Sequence, residues 1–120
     1  MINVSIIIPH HNGKKLLFDC IDSIHKNIIN QNYELIVVDN MSSDNSADDA
    51  KIKFPSINLI KSNKNLGYSG GCNLGSKHAN GKYLIFLNND TIHEKNWVEE
   101  LVSFLEKNPQ AGAAQPKILN

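Results

Sequence analysis

Hydrophobic residues in this chain gather into short runs separated by amphipathic stretches, and the runs end on polar clusters. Val4-Ser5-Ile6-Ile7-Ile8 is nearly continuous and is closed by Pro9, which suits a strand buried on both faces. After the polar turn His10-His11-Asn12-Gly13, apolar positions recur at Leu16, Leu17, Cys20, Ile21, Ile24 and Ile28, one face of a helix. Residues 33–38 read as a second strand that stops on Asp39. Residues 42–46 are dense in N-cap types and predict a short helix that Pro55 ends.

Residues 57–60 read as a third strand, and residues 63–71 as a glycine-containing loop. That loop leads into a helix over 72–79 with Gly81 as its C-cap. Residues 83–87 form a fourth strand. Thr91 and Glu94 have capping-box spacing ahead of a helix that turns Trp97, Val98, Leu101, Val102, Phe104 and Leu105 inward. Residues 111–115 read as a fifth strand.

Strands alternating with helices at this spacing imply βαβ units with right-handed crossovers. The predicted class is α/β: a Rossmann-like, mostly parallel open sheet with helices on both faces. No repeat, charge run or low-complexity linker divides residues 1–120, which read as one domain.

Composition narrows the function more than the fold. Twelve basic and twelve acidic residues cancel, so no net field draws the chain to nucleic acid, which is not an expected partner. All the basic residues are lysines, so a phosphate site here works without a guanidinium fork. Cys20 and Cys72 fall inside predicted helices without metal-ligand spacing and read as small buried apolar residues. No secretory leader is visible, and no apolar stretch approaches the roughly 18 residues that span a bilayer. A cytoplasmic location fits best, with any contact to the inner face of the membrane made through regions outside this chain.

In a parallel sheet all carboxyl ends point one way, and ligands bind at that rim. Asn12 follows the first strand, Asp39 and Asn40 end the second, residues 63–65 follow the third, and Asn88-Asn89-Asp90 follow the fourth. A dinucleotide site is excluded, because the turn Pro9-His10-His11-Asn12-Gly13 has one glycine where G-x-G-x-x-G is needed. A P-loop lysine motif is absent as well.

The residues that remain resemble a known family. Ser5-Ile6-Ile7-Ile8-Pro9 with Asn12, and Glu34-Leu35-Ile36-Val37-Val38-Asp39-Asn40 followed by Ser42-Ser43-Asp44, are its opening motifs. Asn65-Leu66-Gly67 with Gly71-Cys72-Asn73, then Gly81-Lys82-Tyr83 and Phe86-Leu87-Asn88-Asn89-Asp90-Thr91, follow in family order. The chain resembles the N-terminal half of a family 2 glycosyltransferase of the GT-A fold, closest in look to bacterial rhamnosyltransferase-like members that build surface glycans.

The resemblance implies transfer of a sugar from a UDP- or dTDP-linked donor to a glycan or lipid-linked acceptor, with inversion and a divalent Mg²⁺ or Mn²⁺. It groups Pro9, Asn12, Asp39, Asn40, Lys64, Gly67, Gly71, Asn73, Asn88 and Asn89 around the nucleotide. Asp39 would accept hydrogen bonds from the base N–H or the ribose hydroxyls, a role suited to an acceptor-only carboxylate. Asp90 matches the last residue of the family's D-x-D motif and would ligate the metal. Asn88 stands where many relatives carry aspartate, and it supplies no charge.

Blander roles compete for several of these residues: a solvated surface cation for Lys64, a turn or N-cap for Asn12, tight turns for Gly67 and Gly71, and a helix cap for Asn73. The adjacent His10 and His11 read as structural or solvent-facing, since neighbours in sequence rarely chelate one ion. The general base that inversion needs matches no carboxylate here and is expected beyond Asn120. Asp44, Asp48 and Asp49 read as capping and solvated charge. The chain is thus expected to bind nucleotide and to transfer sugar poorly by itself. A non-catalytic nucleotide-sugar module is the alternative. A phosphoacceptor receiver domain is a third reading, weakened by the lack of an acidic pair after the first strand.

Overall fold

The computed structural model describes residues 2–28, 31–93 and 96–108. The elements run β1 (Val4–His10), α1 (Lys14–Asn27), β2 (Tyr33–Asn40), α2 (Ser46–Lys53), β3 (Asn58–Ser62), α3 (Gly67–Lys77), β4 (Tyr83–Phe86) and α4 (Trp97–Lys107). All strand pairs are parallel, in the order β3-β2-β1-β4. The α/β class and the open parallel sheet match the pattern of apolar runs.

β1 is buried along its whole length, and β2 from Leu35 onward, because both are central strands covered on each face. On one face Ile6, Ile8, Leu35 and Val37 pack with Leu17, Cys20, Ile21 and Ile24 of α1, Ala50 of α2, and Trp97, Val98 and Leu101 of α4. On the other face Ile7, Ile36 and Val38 meet Leu74 of α3 and Ala79 beyond it. Helices on both faces follow from this alternation.

The differences lie at element ends. β1 runs through Pro9 to His10, because proline in a parallel strand still accepts through its carbonyl. β2 extends to Asn40, so Asp39 is itself a ladder residue. β3 starts one residue and ends two residues later than its apolar run, through Lys61 and Ser62. Leu16 is half exposed, on the solvent edge of α1, and Phe104 likewise faces out.

α3 begins at Gly67, five residues ahead of the predicted start. The reason is packing. Gly71 and Gly75 lie on the face that meets the sheet, and a Cβ on Gly75 would stand 2.5 Å from Ile7 Cγ2. A Cβ on Gly71 would stand 2.8 Å from Pro9 Cβ. Close approach to the sheet outweighs the roughly 1 kcal/mol helix penalty of each glycine.

Gly81 is not the cap of α3, which closes at His78. Its N–H donates to Ser5 Oγ at 2.8 Å, and a Cβ there would lie 2.5 Å from the Ser5 backbone nitrogen. The Thr91 capping box is also not formed. Asn96, in the left-handed region at φ 64°, caps α4, while Thr91 Oγ1 donates to the Asn88 carbonyl at 3.0 Å. Asn45 plays the same part for α2 at φ 60°. Glu94 and the predicted strand at 111–115 lie outside the described residues.

Candidate nucleotide-binding site

The carboxyl ends of the strands share one rim, and β1 separates the end of β2, with Asp39, from the end of β4, which leads to Asp90. A cleft of about 420 Å³ opens there, lined by Pro9, His10, His11, Asn40, Asn65, Gly67, Tyr68, Asn88, Asn89 and Asp90. Six of these, Pro9, Asn40, Gly67, Asn88, Asn89 and Asp90, were expected from the sequence.

The turn after β1 is built from two left-handed residues, Asn12 at φ 57° and Gly13 at φ 104°, conformations that asparagine and glycine adopt most readily. This turn directs backbone and side chain toward the loop after β2. Asn12 N–H donates to Ser42 Oγ at 2.9 Å, and Asn12 Oδ1 accepts the Ser43 N–H at 2.8 Å. Gly13 N–H donates to Asp44 Oδ2 at 2.8 Å. Asp44 also accepts from the Ser46 hydroxyl and N–H, and these donors, the Ser46 hydroxyl foremost, hold its pKa at about 2. Asp44 is therefore a loop clasp, and Asn12 a turn residue set back from the cleft lining.

Asp39 is only 4% exposed, and its Oδ1 accepts the Ser42 N–H at 3.0 Å. It lies beneath the rim and is not one of the cleft-lining residues. Asn40 is equally buried and works structurally. Its Nδ2 donates to the Gly67 carbonyl at 3.1 Å, its Oδ1 accepts the Leu66 N–H at 3.4 Å, and its carbonyl accepts from His11 Nδ1 at 2.7 Å. Asn40 thereby ties the start of α3 to the end of β2. Because a carbonyl accepts only, His11 carries a proton on Nδ1.

Asp90 is exposed, and among the described residues no hydrogen bond or ion pair engages its carboxylate. No group of three or more His, Cys, Asp or Glu side chains with metal-holding geometry occurs among the described residues. The donor set thus fits a divalent cation only where one carboxylate and ligand oxygens share it, the manner in which Mg²⁺ is commonly held.

Several sequence expectations fall outside the cleft. Lys64 is exposed in the loop after β3, where its carbonyl accepts from Ser62 Oγ at 2.7 Å. Asn73 is exposed in mid-α3, opposite the buried face of Gly71, Cys72 and Gly75, and caps nothing. Gly71 packs against Pro9 instead of forming a tight turn. Asp48 pairs with Lys61 at 3.0 Å and Asp49 with Lys14 at 3.2 Å, as solvated charges. Conversely, His10, His11 and Tyr68 line the cleft, although sequence reasoning assigned none of them a site role. Only the placement of the two histidines directly at the end of β1 could have marked them.

Three comparisons with known proteins bear on the family and the fold. The family model described as glycosyl transferase family 2 matches residues 5–118. An uncharacterized glycosyltransferase of Haemophilus influenzae is 32% identical over 111 residues, covering 88% of this chain and 33% of that protein. The Escherichia coli UDP-Glc:alpha-D-GlcNAc-diphosphoundecaprenol beta-1,3-glucosyltransferase WfgD is 33% identical over 111 residues, covering 88% of this chain and 42% of the relative.

The crystal structure of S. aureus TarS 1-349 in complex with UDP superposes with a TM-score of 0.79 at 20% identity, covering 97% of this chain and 38% of that one. This likeness establishes the fold. The chain spans about a third of the Haemophilus relative's length. On the match over residues 5–118, the chain belongs to glycosyl transferase family 2.

Proposed function

We propose that this chain binds the nucleoside diphosphate of an activated sugar and forms the donor-binding part of an inverting glycosyltransferase. The acceptor is a glycan or a lipid-linked saccharide, met at the cytoplasmic face of a membrane. One observation carries the reading: the end of β2, with Asp39, and the end of β4, which leads to Asp90, flank β1 on the same rim, beside a polar cleft large enough for a nucleotide portion. The UDP named in the TarS complex, and the UDP-glucose and diphosphoundecaprenol named for the E. coli relative, support this choice of ligand class.

In this reading Asp39 accepts from the base or ribose, through a carboxylate whose orientation the Ser42 N–H fixes. His11, Asn40, Asn65, Gly67 and Tyr68 form the wall beside the nucleoside. Asp90, with Asn88 and Asn89 beside it, faces the diphosphate. A Mg²⁺ or Mn²⁺ held by Asp90 would neutralise charge on the leaving diphosphate.

Inversion also needs a general base with a pKa near the working pH. Asp44 is a poor candidate, since donors on both oxygens hold it near 2. Asp39 is buried and Asp90 is assigned to the metal, so we assign the base to none of these three carboxylates.

The test is titration of the 120-residue chain with UDP and with dTDP, each with and without Mn²⁺. Saturable binding strengthened by Mn²⁺ is expected, with slow or no sugar transfer. Absence of binding to either nucleotide overturns the reading. Binding without any transfer by a longer chain that carries the acceptor part favours the non-catalytic alternative.

A further inference from the structure

His10 closes β1, is 1% exposed, and reaches with its two ring nitrogens to opposite sides of the cleft floor. Nδ1 lies 2.9 Å from Asn89 Nδ2, and Nε2 lies 2.7 Å from Ser46 Oγ. The same Asn89 NH₂ group approaches the Asn12 carbonyl at 3.4 Å, a contact that only a donor favours. Nδ1 is therefore the acceptor, and the ring proton sits on Nε2. Ser46, receiving that proton's hydrogen bond, donates its own hydroxyl to Asp44 Oδ1. A relay of fixed direction thus runs from Asn89 through His10 and Ser46 to Asp44, the clasp of the loop after β2.

The turn that carries Asp90 is held from its other side as well. Thr91 Oγ1 closes onto the Asn88 carbonyl at 3.0 Å, and Cys20 Sγ of α1 lies 3.6 Å from Thr91 Oγ1. Between these anchors Asp90 has no hydrogen bond or ion pair of its own among the described residues. Among the described residues, only the flanking contacts place its carboxylate.

We propose that His10 is a positioning residue, whose neutral ring, oriented by Ser46 and Asp44, fixes the Asn89 amide and through it the place of the Asp90 carboxylate at the cleft. Burial lowers the His10 pKa against the opposing pull of Asp39 and Asp44, which keeps the ring neutral. The consequence for ligand binding rests on the donor-site reading above, while the clamp itself does not.

The test uses the 120-residue chain with His10→Asn, His10→Gln and Asn89→Ala. An asparagine amide can offer an acceptor near the Nδ1 position, whereas glutamine reaches toward the Nε2 side and Ser46. In the free chain, ring ¹⁵N resonances should show His10 protonated on Nε2 alone at pH 7, and Asn89→Ala should shift the Nδ1 resonance. Backbone amide shifts of residues 88–91 should stay near parental in His10→Asn and move in His10→Gln. The Mn²⁺-dependent gain in UDP affinity should fall at least tenfold in His10→Gln and less than threefold in His10→Asn. Equal effects of the two His10 substitutions, or an unmoved Nδ1 resonance in Asn89→Ala, overturn the proposal. If the parent chain binds neither UDP nor dTDP, the donor reading fails, and the ring and backbone shifts still decide the clamp.

Discussion

His10 and Asp39 are register partners across the parallel ladder of β1 and β2. His10 therefore stands between the strand that carries Asp39 and the strand that leads to Asp90. The arrangement follows from a sheet order in which β2 and β4 both pair with β1. The strand that carries Asp39 and the strand that leads to Asp90, 51 positions further on, end on one rim because of this order.

Asp39→Asn should separate binding from folding. The amide retains an oxygen that can accept the Ser42 N–H, so stability should change by no more than about 1 kcal/mol. The charge is lost, and UDP affinity should drop on the order of tenfold, because hydrogen bonds to an ionised acceptor are the stronger kind. Calorimetric titration and urea unfolding of the same sample check both halves.

The glycines of α3 and the turn before β4 should behave as packing residues. In Gly75→Ala the new methyl meets fully buried Ile7 and, at 3.2 Å, Val38 Cγ2, and overpacking of this kind costs about 1–3 kcal/mol. Gly81→Ala meets the Ser5 nitrogen and the Val4 carbonyl carbon, both backbone, which cannot swing aside as a side chain end can. It should cost at least as much as Gly75→Ala. Urea midpoints at constant slope are the measurement.

Acid should weaken the fold in two separate windows. Burial holds His93 down at about 4 and lowers His10 and His25 below the ordinary histidine value. Each is neutral in the fold and takes up a proton more readily when unfolded. Their contribution is complete above pH 6.5 and is lost as pH falls from there toward 4. Asp44, held near 2 by Ser46 and Gly13, contributes above its unfolded value near 3.8 and loses that contribution as pH falls toward 2. Urea midpoints should therefore decline between pH 7 and 4.5, before carboxylates titrate. Constant midpoints across that range would contradict the buried neutral histidines.

The sheet and the rim were legible in the sequence because central strands buried on both faces must be apolar throughout, and polar residues can appear only where they end. Ile6 to Ile8 and Leu35 to Val38 left no other reading, and their ends marked Asp39 and Asn40. The start of α3 was not legible, since Gly67-Tyr68-Ser69-Gly70-Gly71 favours a loop on local propensity and becomes helical only against Pro9 and Ile7. That misplaced start also drew Asn73 toward the site, although its place in mid-helix turns it to solvent.

The contact of Asn89 with His10 spans 79 positions and leaves no local trace, so two adjacent histidines could be read as structural without showing what they hold. The capping signal over residues 42–46 is met by Asn45, which starts α2, whereas the one at Thr91 fails for a related reason. The Thr91 hydroxyl is taken by the Asn88 carbonyl, and left-handed Asn96 starts α4 instead.

Asp90 carries the central claim, because it is the exposed carboxylate at the rim and the one assigned to the metal. Asp90→Ala should leave urea stability within about 0.5 kcal/mol, as expected for an exposed side chain with no bonded partner among the described residues. The decisive measurement is UDP binding with and without Mn²⁺ by this variant beside the parent chain. The parent should gain affinity with Mn²⁺, and Asp90→Ala should bind UDP equally weakly in both conditions. An undiminished Mn²⁺ gain in Asp90→Ala would remove Asp90 from the site and contradict the account.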